Sequence, residues 1–220
     1  MPGEVTKDQV IRTLGNAISP FKQALLSSKA IQDFSGLPDA FPVVAGHLQF
    51  IYETIKSMRD RLGKNKETQE TKEKYAPMNQ FAEMCVNQAG YLKNVFEDVK
   101  NTDDPALKLE RYRETAAKAD GLKIESVMQN LLKQAVNAAV EPLVSNERIK
   151  QLQEVQKEVA ALEPSLKDEP KGTTTLNNHG SGSQFLHHGK GNQNHCTGGY
   201  QITGDGATNH FSSDKQRSTG

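Results

Sequence analysis

Apolar residues return every three or four positions up to about Glu163, on faces otherwise filled with Lys, Glu and Gln. That spacing is the period of a helix. Thr6-Lys7-Asp8-Gln9 reads as a capping box, in which the Thr6 hydroxyl and the Gln9 side chain satisfy each other's free backbone donors. Val10, Ile11, Leu14, Ile18, Phe21 and Leu25 then form a stripe, with Pro20 as an expected kink. Gly36-Leu37-Pro38-Asp39 interrupts the pattern. The next stripe, Val44, Leu48, Ile51, Ile55, Met58 and Leu62, alternates steps of four and three and ends at Gly63.

No apolar residue occurs from Lys64 to Lys74, a segment expected to be a solvated loop or a frayed helix end. A third helix is predicted from Phe81, Met84, Cys85, Gln88, Tyr91, Leu92, Val95, Phe96 and Val99. Asp103-Asp104-Pro105 marks the start of a fourth, because a carboxylate cap followed by proline accounts for donors that a helix leaves unpaired. That helix carries Leu109, Tyr112 and Ala116 and closes at Gly121. A fifth follows with Ile124, Val127, Met128, Leu131, Ala135 and Ala139, ending near Pro142. A sixth runs from Ser145 with Ile149, Leu152, Val155, Val159 and Leu162, stopped by Pro164. Five or six helices with short connections predict an all-α bundle over residues 1–163.

The alphabet then changes. Residues 164–177 are read as a linker, 178–211 as a repeat and 212–220 as a disordered end. Between Gly172 and Phe211 only Lys190 and Asp205 carry full charge, while Gly, Asn, Gln, Thr, Ser and His dominate. In register the tail reads Gly180-Ser181-Gly182-Ser183-Gln184, Gly189-Lys190-Gly191-Asn192-Gln193, Thr197-Gly198-Gly199-Tyr200-Gln201 and Gly204-Asp205-Gly206-Ala207-Thr208. The core pattern Gly-x-Gly-x-Gln, with Thr197 in place of the first glycine in the third unit and Thr208 in place of the glutamine in the fourth, thus recurs at intervals of nine, eight and seven residues. A segment poor in charge and free of proline can stack strands so that Asn and Gln ladder along a fibril, with glycine at the turns. Phe185, Leu186, Tyr200, Ile202 and Phe211 are available for a dry seam between layers, and are too few for a globular core. The residues assigned to amyloid assembly are Gly180, Gly182, Gln184, Phe185, Gly189, Gly191, Gln193, Gly199, Tyr200, Gln201, Ile202, Gly204, Gly206 and Phe211. Alone the tail is expected to be disordered; the bland alternative is a flexible extension without a role.

Composition narrows the partners. Lys plus Arg equal Asp plus Glu at 27 each in 220 residues, so no global field collects phosphates, and nucleic acid is not an expected partner. Neither a signal peptide nor a membrane span is read, and two cysteines, Cys85 and Cys196, are too few for a disulfide framework. A cytoplasmic location follows as the expectation. The glycines complete no phosphate-binding motif, since Asn209 stands where Gly204-x-Gly206 needs its third glycine. His179, His187, His188, His195 and His210 with Cys196 match no structural zinc spacing, so neither metal nor cofactor is expected. Cys85 reads as a packing residue, His47 as structural, and no enzyme is expected. The Val10–Leu25 stripe reads as core, with insertion into a membrane after tail assembly as the alternative.

Several separate blocks carry a family resemblance. Asp33-Phe34-Ser35-Gly36-Leu37-Pro38-Asp39-Ala40-Phe41, Cys85, Tyr91-Leu92-Lys93-Asn94-Val95-Phe96-Glu97-Asp98-Val99, Leu109-Glu110-Arg111-Tyr112-Arg113 and Ile124-Glu125-Ser126-Val127-Met128 are similar to the SesA-type domain at the N-terminus of fungal NACHT and STAND NTPases. The tail resembles the sigma-type amyloid motif of fungal death-pathway proteins. What the resemblance implies is a relay: a receptor NTPase with a matching motif oligomerises on detecting non-self and templates this tail into amyloid. Partners would then be other copies of the chain, a NACHT or STAND receptor and, by extension from neighbouring death effectors, a membrane after activation. The implied role is effector in heterokaryon incompatibility or defence-related programmed cell death. The alternative is a protein-binding adaptor whose helical domain docks a receptor while the tail only tethers.

Overall fold

Thr6 starts the first helix. Its Oγ1 accepts the Gln9 N–H at 3.3 Å, one half of the expected box, and α1 runs Lys7–Lys29, continuing well past Pro20. The computed structural model describes residues 5–166, and the amyloid-assembly residues assigned above, Gly180 to Phe211, lie outside them. Six further helices follow: α2 Ala40–Lys64, α3 Gln69–Glu73, α4 Tyr75–Lys100, α5 Pro105–Lys118, α6 Ile124–Ala138 and α7 Asn146–Ala160. The described residues are all-α, with seven helices and no strand.

The seventh helix over the expected five or six is α3, inside the stretch expected to be a loop. Thr68 and Thr71 make the reciprocal capping box there, Thr71 N–H to Thr68 Oγ1 at 3.2 Å and Thr68 N–H to Thr71 Oγ1 at 3.0 Å. Two threonines three apart can close this box without any apolar face, so the hydrophobic period carried no sign of it. The fifth predicted segment ends at Ala138 rather than near Pro142. Asp104 acts as the expected cap, accepting from the Ala106 N–H, and Ser145, where the sixth segment was expected to begin, caps α7 by accepting from the Arg148 N–H.

Packing follows the predicted faces. All six apolar residues of the α2 stripe are buried, while on α1 Ile11 and Ile18 lie at the rim and Ala17 and Ala24 complete the inner face. α1 lies along both α2 and α4; it runs in the same direction as α4, since Ser27 meets Glu97 and Pro20 lies opposite Gly90. α6 fills the angle between α2 and α4, and α5 leans on α4. Burial of each Leu, Ile or Phe in this core contributes about 1.5–3 kcal/mol.

α7 sits differently. It packs on α6 and touches α2 more lightly, with only Leu152 and Val159 buried. Polar contacts make up the link to α2: His47 Nε2 to Glu158 Oε2 at 3.0 Å, and Arg148 to Glu53 at 2.7 Å with its guanidinium over the Phe50 ring. After α7 the chain turns back, and Ser165 and Leu166, which composition places in the linker, are packed onto the helical domain.

Candidate functional site

The four longer sequence blocks that carry the resemblance meet in space around α5. Asp33, on the loop after α1, accepts from buried Lys108 on α5 through both its backbone oxygen, at 2.8 Å, and Oδ2, at 3.1 Å. Ser35 donates its N–H and its hydroxyl to Asp33 Oδ1 at 2.9 and 2.7 Å. Those donors, with Lys108 adding to them, hold the Asp33 carboxyl down at about 2. Gly36, at φ +80°, lies directly against Pro105 at the start of α5.

Phe41, at the start of α2, is wedged between two other blocks. Its ring meets Tyr112 edge-on at 4.7 Å and Phe96 edge-on at 6.1 Å. Such T-shaped pairs add about 0.5–1.5 kcal/mol each to burial. Tyr112 is fully buried, and its hydroxyl needs partners there.

The Tyr112 hydroxyl accepts the Ile124 N–H at 3.1 Å, so it caps α6 from a distance. Lys123, at the cap position, makes no side-chain cap bond, and the tyrosine takes over one of the donors that a helix start leaves unpaired. The same hydroxyl shares a hydrogen bond with Ser165 Oγ at 2.6 Å. Ser165 in turn donates its N–H to Glu125 Oε1 at 3.0 Å. Tyr91 closes the group by donating to the Leu122 carbonyl. Burial pushes both tyrosine hydroxyls up, Tyr91 strongly, with the Glu125 carboxylate raising each further.

This node is a network of half-buried Tyr91 with buried Tyr112, Glu125 and Ser165. In the sequence Tyr112 stands out only as an apolar position of its helix and Glu125 only within a motif block, and nothing there marks Ser165 or Lys108. A glutamate in the first turn of a helix ordinarily complements the helix dipole in solvent. Here the carboxylate is buried, and the chain returning after α7 meets it through the Ser165 N–H.

The other candidates are structural in geometry. Cys85 is completely buried, and desolvation pushes its thiol well above the ordinary range, which disfavours the thiolate a nucleophile needs. Two open surface grooves flank α4: one of about 240 Å3 between Pro20 and Gly90, the other of about 320 Å3 lined by carboxamides including Gln88 and Gln134. Among the described residues no group of three or more His, Cys, Asp or Glu could hold a metal ion. No described helix is long and apolar enough to cross a membrane.

Compared with known proteins, the chain matches no curated protein and no solved structure. A family model does match, over residues 15–137, which spans α1 from Gly15 through almost all of α6 and contains every block that meets around Tyr112. The model describes an N-terminal domain on NACHT NTPases and P-loop NTPases. The chain therefore belongs to the SesA family, and its domain is one associated with NACHT NTPases.

Proposed function

We infer that this protein is a signalling effector whose tail is switched by amyloid templating. A cognate NACHT or STAND receptor with a similar motif assembles, its motifs seed the segment 178–211, and the helical domain is thereby activated in fungal heterokaryon incompatibility or defence-related cell death. The observation that carries this reading is the in-register Gly-x-Gly-x-Gln repeat placed behind a SesA domain. Repeated units poor in charge suit stacked strands, in which each backbone group pairs with the layers above and below.

The reading gives the chain no catalytic step and no cofactor. Its partners are other copies of itself, the receptor and, after activation, a membrane; its location before activation is the cytoplasm. The helical domain supplies the executing surface and the tail supplies the switch.

The test is direct. Purified Gly172–Gly220 is incubated alone and with seeds of a receptor motif, and followed by thioflavin fluorescence and fibre diffraction. The expected result is fibril growth accelerated by seeds, with a meridional reflection near ~4.7 Å. Persistent monomer in both conditions would leave the adaptor reading, in which deleting the tail preserves receptor association.

A further inference from the structure

Glu125 is buried at 5 % exposure, yet among the described residues its Oε2 has no hydrogen-bond partner. Its Oε1 has the Ser165 N–H. A carboxylate in this position has surrendered much of its hydration for one backbone donor, and the unmet oxygen costs free energy. Against it lies Ser165, on the short segment Leu162–Leu166 that returns after α7. Leu162 and Leu166 contact the core only in part, Glu163 and Pro164 are exposed, and Ser165 supplies the two polar contacts. Closure of this strap therefore gains two hydrogen bonds and modest apolar contact, and it is opposed by the desolvation of Glu125. The opposing contributions are of similar size.

We propose that Leu162–Leu166 is a releasable clasp, held near balance by the buried Glu125 carboxylate, that joins the state of the tail to the α5–α6 junction of the SesA domain. Closed, Ser165 completes the Tyr112 hydroxyl that caps α6. Open, Glu125 regains water, and Tyr112 loses one of its partners while the α1–α2–α4 core is untouched. The family match ends at residue 137, so the clasp and α7 stand outside the part shared with the family. The coupling to assembly rests on the functional reading above: when residues beyond the strap are held in a fibril, tension and crowding favour the open state.

The carboxylate gives the idea a sign that an ordinary structural contact lacks. Ser165→Ala and Tyr112→Phe remove a hydrogen bond that closes the strap. Glu125→Gln keeps an oxygen to accept the Ser165 N–H but removes the charge that opposes closure. Hydrogen exchange on the full-length monomer would compare the strap with amides around Leu92 in α4. In the wild-type chain the strap should exchange through local opening, at least about ten-fold faster than α4. Ser165→Ala and Tyr112→Phe should speed strap exchange about five-fold more, the equivalent of one hydrogen bond. Glu125→Gln should slow it, with α4 unchanged in all three. Equal exchange of strap and α4 throughout, or a Glu125→Gln strap as fast as that of Ser165→Ala, would overturn the clasp.

Full-length fibrils test the coupling. Loss of strap protection on assembly, with α4 retained, is the expected result. Fibrils with an undiminished strap would overturn the coupling while leaving the signalling reading intact. A chain that forms no fibrils would count against the signalling reading, and the monomer series would then decide the clasp by itself.

Discussion

Gly36 and Pro105 touch so closely that a Cβ on residue 36 would lie 2.4 Å from both the Cβ and the carbonyl oxygen of the proline. The glycine also holds φ at +80°, where side chains are strained. Contact and conformation together seat the α1–α2 loop on the start of α5, beside the Asp33–Lys108 pair.

Replacing Gly36 with Ala should therefore be severely destabilising. Backbone atoms of Pro105 cannot move aside as a flexible side chain would, and we expect a loss of about 2–4 kcal/mol in urea unfolding. Loss below about 1 kcal/mol would show that the loop can lift from α5 at little cost.

Asp33 should impose an acid limit on stability. Its folded value of about 2 lies below the ordinary 3.8, so its contribution is complete above pH 4 and is lost as the pH falls from about 4 to 2. Asp33→Asn should lower stability at neutral pH and flatten its decline over that window. An unchanged acid profile would place the acid-sensitive groups elsewhere.

Asp120 offers a stabilising change. It follows α5 at φ +56°, where the Gly121 N–H reaches back to the Ala116 carbonyl at 2.9 Å to close the helix end. A left-handed position at a helix end favours glycine. Asp120→Gly should raise stability by about 0.5–1 kcal/mol, read as a shift in urea midpoint at constant slope.

The tail prediction concerns order rather than composition. The double change Gln193→Pro and Ile202→Pro removes two backbone donors from the proposed ladder, and should abolish seeded fibril growth of the isolated tail. A tail scrambled at constant composition should fail equally. Growth of either at the wild-type rate would remove the repeat from the mechanism.

Local chemistry made much of the helical domain legible in the sequence. The α2 stripe is buried residue for residue, because a face repeating every three to four positions can bury only itself. Asp104 with Pro105, and Ser145, mark helix starts because a cap bond closes within three residues and needs no tertiary partner. The short helix α3 escaped for the complementary reason, being held by two threonines with no apolar face to announce it.

The chain order by itself thus determined the helical class, most helix boundaries and the change of alphabet that separates domain from tail. Only the tertiary structure decided that Tyr112 caps α6, that Lys108 is buried against Asp33, and that Ser165 returns to close over Glu125. Those contacts join residues from 12 to 75 positions apart. Nothing in a helical period records which polar residue the packing will desolvate, because burial of a charge is set by what the rest of the chain lays over it.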